Sequence, residues 1–513
     1  MEHPAIDSPE ELAAFKALQE KLPGLYRQVV EDARRRHTVV VIPSLSLDPD
    51  ELEKVSGVHH YEERLLYTLM LLRRPNTRLI FVTSQPVASS VIDYYLHLLS
   101  GIPGNHARKR LTLLACYDAS KVPLSQKILD RPRMLHRIRD AIGDTDAAHM
   151  VCFNSTKLER SVAVQLRVPL YGNDPALSDL GTKSGCREVF REAGIHLPDG
   201  FERLSSTEEI IDSLVELKGR NTNLRKAVVK LNEGFSGEGN ALFSYQGGPE
   251  RDGLRAWVEQ NVHTLRFTAK TEQWETFQEK FRHMGGVVEA FVDGEDKCSP
   301  STQCRVNAIG EAMVISTHDQ VLGGEDGQIF QGCTFPADDS YRLEIQDAGL
   351  KVARVLAKKG VLGRFATDFV SVREQGKWKH YAIEVNVRKG GTTHPFLTLK
   401  FLTDGRYDTE TGMFRTPSGN AKYYYASDTL ERERYRGLTP DDLIDIAVYH
   451  GLHFHGAAER GVVFHLMGAL SEFGKLGIVC IGDNPQQCTF LYRKTVGVLD
   501  KETASRADKA SAE

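Results

Sequence analysis

Short apolar runs alternate with helix-period stretches through the first third of the chain. The runs cover residues 38–42, 78–83, 110–116 and 149–154, and helical spacing fills 62–72, 87–100 and 131–142 behind an amphipathic helix over 10–36. Brief, nearly continuous apolar runs read as strands buried on both faces. Their alternation with helices predicts a parallel sheet covered on both sides. Near residue 172 the pattern changes. A helix at 183–193, strands at 226–231 and 241–245 around a glycine-rich turn, and helices at 254–261 and 272–284 come first. A strand at 286–292, further strands within 302–335 and a helix at 343–359 follow, which together predict an α+β region with mostly antiparallel strands. Beyond 405 a tyrosine-rich strand (422–425), a helix (440–449), strands at 462–467 and 475–481, and a helix after Asn484 predict a smaller α+β region. The expected fold class is therefore α/β plus α+β, in three domains at 1–171, 172–404 and 405–504. The polar tail 505–513 is expected to be disordered.

The most informative stretch is 382–388, where Glu384, Asn386 and Arg388 alternate with Ile383, Val385 and Val387. On a strand this sends an apolar row into a core and sets a carboxylate, a carboxamide and a guanidinium on the opposite face. A second strand around 364–372 precedes it, with a polar turn at 373–379. Asp368 and Glu384 are equally far from Gly376, so a symmetric hairpin places them opposite each other. Like charges so placed are destabilising unless neutralised, and a hard divalent cation is the simplest neutraliser for carboxylate and amide oxygens. A solvated strand face is the plainer reading of alternating polar residues. The conjunction of Asp, Glu, Asn and Arg argues against it here.

Composition narrows the field without choosing a function. The 513 residues are 41% hydrophobic and 26% charged with a net charge of −4, an ordinary globular balance with no nucleic-acid footprint. Neither a signal segment nor an uncharged stretch long enough to span a bilayer is evident, so no membrane association is expected. Eight scattered cysteines without a CxxC pair are expected to be free thiols in a reducing cytoplasm. No GxGxxG follows the first strand, which excludes a dinucleotide fingerprint there.

Two further segments carry chemistry. Lys230 ends a strand and leads into a loop with Gly234, Ser236, Gly237 and Gly239. Glycines let backbone N–H groups cradle phosphate oxygens and the lysine adds a point charge, although a plain hairpin turn has the same composition. There is no Gly-Lys-Ser/Thr ending, so this is not a Walker loop. At Glu289, Ala290, Phe291 and Val292 a strand runs into Glu295 and Asp296, where backbone groups could pair with an adenine and an acid could hold ribose hydroxyls. A strand ending in a turn is the alternative. His450, His453, His455 and His465 lack defined metal-ligand spacing and read as solvated or core histidines.

In this order the segments resemble an ATP-grasp ligase over residues ~172–402. The resemblance implies a Rossmann-like pre-ATP-grasp domain, an ATP-grasp domain and a small C-terminal α+β domain. It implies Lys183 and Lys230 on the α- and β-phosphates of ATP, a loop at 234–239 closing over them, and Glu289 to Val292 as the adenine hinge. Asp296 or Glu295 would be the ribose acid, with Asp368, Glu384 and Asn386 as ligands of two Mg2+ ions, or Mn2+ in their place. Arg388 and His394-Pro395 look like a segment of biotin-carboxylase-type members, but Thr393 stands where those enzymes carry a glutamate base. The nearest resemblance is to the pheganomycin-type peptide ligases, through 299–301, 316–324, 385–395 and 464–467.

That resemblance implies an ADP-forming ligase joining a small-molecule carboxylate to an amine or peptide through an acyl phosphate. Arg388, with Arg305, would hold the carboxylate and then the developing oxyanion. It also allows a homodimer. A biotin-carboxylase-like carboxylase and a nucleotide-binding regulatory protein without turnover are the alternatives. The first conflicts with Thr393, and the second with the intact acid, amide and arginine.

Overall fold

The computed structural model describes residues 4–504 apart from 33, 48, 235–238, 270 and 324–328. The expected tail at 505–513 lies outside the described residues, as do Ser236 and Gly237. Strands β1 (His37–Ile42), β2 (Thr77–Thr83), β3 (Leu111–Ala115) and β4 (Ala148–Cys152) pair in parallel in the order β3-β2-β1-β4. Every residue of β1 is buried, as its unbroken run of branched side chains requires. The expected N-terminal helix is two, Pro9–Gln19 and Leu22–Glu31, because Pro23 starts a new first turn where its missing N–H costs nothing. Residues expected as a helix at 62–72 form a 3-10 helix, Val58–Arg73, buried on almost every side.

The middle region has two bodies. One is a five-stranded antiparallel sheet of β5 (Gly200–Leu204), β6 (Lys226–Leu231), β7 (Asn240–Ser244), β8 (Arg266–Phe267) and β9 (Gly286–Ala290), in the order β5-β9-β6-β7-β8. It has its own core, including Leu214, Phe243, Phe277 and Phe281. The other is a long sheet of β10 (Glu295–Cys298), β11 (Pro300–Val306), β12 (Ala312–Gly323), β13 (Ile329–Phe335), β14 (Gly363–Glu374) and β15 (Lys377–Asn386). The helix Arg342–Lys358 covers one face. It approaches so closely that a Cβ on Gly349 would lie 2.5 Å from the Thr302 methyl. The opposite face of the same strands carries Ser301, Asp368, Glu384 and Asn386.

The hairpin of β14 and β15 brings Asp368 opposite Glu384, by a route the equal spacing from Gly376 does not reveal. Its turn is the two-residue type with positive φ at both Gln375 (53°) and Gly376 (78°), which matches strand twist. That turn pairs Glu374 with Lys377 and, further along, Phe369 with Ala382. One extra residue on β15, a bulge beside Ile383, then shifts the register so that Asp368 meets Glu384.

The third region is not set apart. After a small hairpin, β16 (Arg406–Asp408) with β17 (Met413–Arg415), strand β18 (Tyr423–Glu431) pairs with β13. Strands β19 (Gly461–His465) and β20 (Lys475–Gly482) extend the same sheet to nine strands. Side chains from both chain ends, among them Phe81, Tyr95, Phe464 and Ile478, share one apolar cluster. A boundary near 405 thus crosses a continuous sheet and a common core. A chain ended at Asp404 should be aggregated in gel filtration, since each such side chain contributes roughly 1.5–3 kcal/mol by its burial. A soluble, cooperatively unfolding truncated chain would contradict this account.

Candidate active site

Lys183 is the first residue of the helix Lys183–Glu192, whose Thr182 cap accepts from the Gly185 N–H. A Cβ on Gly185 would sit 2.0 Å from the Asp179 carbonyl, so only glycine permits this start. Asn232, just past β6, fixes the helix end against the strand that carries Lys230. Its carbonyl accepts from Lys183 N–H at 3.0 Å, and its Oδ1 accepts from the Ser184 N–H at 3.0 Å and hydroxyl at 2.7 Å. The two expected phosphate lysines are thereby coupled through one asparagine that the sequence reading did not single out.

Each lysine already has a carboxylate. Lys183 Nζ lies 2.5 Å from Glu384 Oε1, and Lys230 Nζ lies 2.5 Å from Glu289 Oε2. The second carboxylate oxygen of Glu289 meets Arg187 Nη1 at 2.6 Å, so a buried acid sits between two buried cations. Burial alone would raise the Glu289 pKa, but Lys230 and Arg187 hold it below the usual range. Arg187 was also missed, because nothing local in the sequence ties it to a strand about a hundred residues away.

The facing acids differ. Burial raises and Lys183 lowers the Glu384 pKa, and the net shift is downward. Asp368 is pushed up to about 6 by burial and by Glu384, although the Ser301 hydroxyl across the strand pair opposes this. Asn386 Nδ2 donates to Asp368 Oδ2 at 2.9 Å, bringing all three expected metal ligands together. Two carboxylates and a carboxamide, one acid lacking a full counter-charge, are a hard oxygen set that fits a divalent cation such as Mg2+. Lys183 lies close enough to balance the charge of Glu384. The histidines form no such set. His465 stacks on His394 with ring centroids 4.0 Å apart, and His450 pairs with Glu502 at 2.8 Å.

Arg388 departs from its expected strand position. β15 ends at Asn386, and the Arg388 N–H turns back to the Asn386 carbonyl at 2.7 Å. Its guanidinium still acts on Glu384 and Asp368 from the loop beyond the strand. Arg305 stands opposite Arg364, four residues along from the Ser301–Asp368 pair. At strand rise that is about 13 Å along the strand from Asp368.

In the hinge segment the Ala290 and Phe291 N–H groups are committed to the Asp199 (2.8 Å) and Lys226 (3.1 Å) carbonyls. Val292 N–H donates to no described residue. Asp296 lies 3.5 Å from Arg373, whereas Glu295 has no ion pair among the described residues. Gly234 and Gly239 close the described ends of the loop after β6, and a Cβ on Gly234 would meet Gly239 N at 3.2 Å.

Comparison with known proteins places this arrangement. The chain is 30% identical over 471 residues to L-propargylglycine--L-glutamate ligase of Streptantibioticus cattleyicolor, covering 90% of this chain and 94% of that protein. The chain belongs to the ATP-grasp family. A family model described as IQCH-like, ATP-grasp matches residues 175–246 and 251–410, and one described as PGM1 C-terminal domain matches 442–495. IQ motif-containing protein H of Danio rerio is 21% identical over 96% of this chain, which spans about half (51%) of that protein. Among solved structures, biotin carboxylase from Campylobacter jejuni superposes with a TM-score of 0.53 at 12% identity, over 93% of this chain and 97% of that one. The ATP-grasp match covers β5 to β15, so the facing acids and both paired lysines fall within it.

Arg187→Ala should destabilise the ATP-grasp region by about 3 kcal/mol, because it leaves a buried carboxylate with one partner fewer. Urea denaturation followed by circular dichroism measures this. A change below ~1 kcal/mol would show that Lys230 alone suffices for Glu289.

Proposed function

We propose that this chain is an ATP-dependent, ADP-forming carboxylate–amine ligase, joining an amino-acid-like carboxylate to the amine of an amino acid or peptide. The face formed by Asp368, Glu384 and Asn386, with two lysines beside it, carries the reading. The relative named for joining L-propargylglycine to L-glutamate supports it. Eight free cysteines fit action in a reducing cytoplasm.

Val292 N–H and neighbouring backbone groups would receive adenine, and Glu295 is better placed than Asp296 for ribose, since Asp296 is engaged by Arg373. Lys183 and Lys230 would exchange their carboxylate partners for phosphate oxygens, which frees Glu384 for the metal. Asp368, Glu384 and Asn386 would hold Mg2+, most simply as two ions, with Mn2+ as a substitute. What the metal supplies when bound is neutralisation of charge on the transferring phosphoryl group.

Arg388 would orient the substrate carboxylate, whose oxygen attacks the γ-phosphorus as the bond to ADP breaks. The amine nitrogen then attacks the acyl carbon, phosphate leaves with the C–O electron pair, and the nitrogen loses a proton to solvent. The loop at 234–239 would exclude water from the acyl phosphate. No protein nucleophile is required.

Glu384→Ala and Asn386→Ala should each abolish ADP release with unchanged circular dichroism, and near-normal turnover in either would remove the metal assignment. Arg388→Lys should keep ATP affinity by calorimetry and lose kcat by on the order of 10²-fold, because an ammonium cannot bind a carboxylate bidentately. Thr393 in place of a base predicts amine-dependent ADP release without incorporation of labelled bicarbonate. Carboxylation of any acceptor would favour the carboxylase reading instead.

A further inference from the structure

Two sets of cations contrast. Lys183 and Lys230 are paired with carboxylates, as are Arg187 with Glu202 and Arg220 with Asp199 beside the roughly 580 Å3 surface hollow near β5. A second group is not. Arg305 on β11 and Arg364 on β14 are direct cross-strand partners, an arrangement that is destabilising for like charges. Lys400, on the helix Thr393–Thr403, and Lys389, in the loop before it, complete the group.

None of the four forms an ion pair with a carboxylate among the described residues. Arg305 Nε donates to the Tyr171 hydroxyl at 2.6 Å, and the Lys389 ammonium donates to the Cys152 carbonyl. Arg364 and Lys400 make no hydrogen bond or ion pair with any described residue. Arg305, Tyr67 and Tyr171 act on Arg364, which itself acts on Lys389 and Lys400, and Arg305 and Arg406 also act on Lys400. Burial and Arg305 push the Arg364 pKa down to about 10, so the guanidinium is held charged at a cost. A folded chain that keeps four cations together without an anion has a place for one.

Position defines which one. Arg364 lies on the same strand and face as Asp368, four residues away, with Ala366 between them. That separation is about 13 Å. It matches on the order of one phosphoryl group, the acyl carbon it activates and the length of an acidic amino acid attached through its amine. We propose that Arg364, with Arg305 and Lys400, forms the subsite for a carboxylate carried by the amine substrate, either the side chain of an acidic amino acid or the C-terminal carboxylate of a peptide. The inference rests on the ligase reading of this sheet face and names the acceptor class for it.

The test uses the full chain, with ADP release measured for L-glutamate, L-glutamine, glycyl-L-glutamine and glycyl-L-glutamine amide as acceptors against a panel of amino-acid donors. The wild type should prefer a carboxylate-bearing acceptor over its amide by at least 10-fold in kcat/KM. Preference for glutamate over glutamine points to the side chain, and preference for the dipeptide over its amide points to the C-terminus. Arg364→Gln should raise the acceptor KM by about 30-fold, as expected for losing one buried charge-assisted partner, with ATP affinity within about twofold. Arg364→Lys should restore most of it. Since an unpaired cation is removed, Arg364→Gln should also melt at the same or a higher temperature than the wild type. Equal use of acid and amide acceptors, or a KM that Arg364→Gln leaves unmoved, overturns the subsite while leaving the ligase reading intact. Should no amine stimulate ADP release, the ligase reading fails, and calorimetry of L-glutamate and glycyl-L-glutamine with both proteins decides the subsite. Binding by the wild type that Arg364→Gln abolishes retains an anion site, and equal or absent binding removes it.

Discussion

Two carboxylates facing each other across one strand pair set the electrostatic terms for the centre of this protein. At 4 Å and the effective dielectric of a protein surface, two unit charges interact by about 4 kcal/mol. Asp368 and Glu384 therefore cannot both stay ionised without help. Lys183 relieves Glu384, and its own position depends on a capped helix start, on a glycine at 185 and on Asn232. Asp368 is left with a hydroxyl and an amide, and its carboxyl is pushed up accordingly. The helix start, the strand end at Lys230 and the hairpin register are thus tied together by the need to balance charge in a place built to receive more of it.

Much of this was legible in the chain. Alternation at 382–388 announced a strand, which ends at Asn386, and the face Glu384 and Asn386 share with Asp368. The bulge beside Ile383 was not legible, because an extra residue leaves the composition of a strand unchanged. Equal spacing from Gly376 reached the right pairing only because turn and bulge offset each other. The helix Thr207–Arg220 did announce itself, through the Ser206 and Glu209 capping box, and was overlooked. Arg187 and Asn232 had no local signal. Their importance comes from contacts with strands distant in sequence, which periodicity cannot register. The junction of β13 with β18 escaped for the same reason: pairing between strands some ninety residues apart leaves no trace in either strand.

The arrangement of cations sharpens the functional reading. At Arg220 and Arg255 a carboxylate lies within 3 Å. At Arg364, on the long sheet, and Lys400, on the helix Thr393–Thr403, no described carboxylate forms an ion pair. Arg305 and Arg388, expected to share one carboxylate, stand at different levels of the sheet face. Arg388 lies at the end with the acids, and Arg305 lies with Arg364 at the other.

Lys183 and Lys230 belong to different bodies. Lys230 and its partner Glu289 lie within the five-stranded sheet, whereas Glu384, the partner of Lys183, lies in the nine-stranded one. The five-stranded sheet keeps a core of its own, and the Arg187–Glu289 pair and Asn232 tie it to the helix that starts at Lys183. On the proposed ligase reading, a polyphosphate held by both lysines would bridge the two sheets as well as react, so the crossing between them would bear on how fast spent nucleotide leaves.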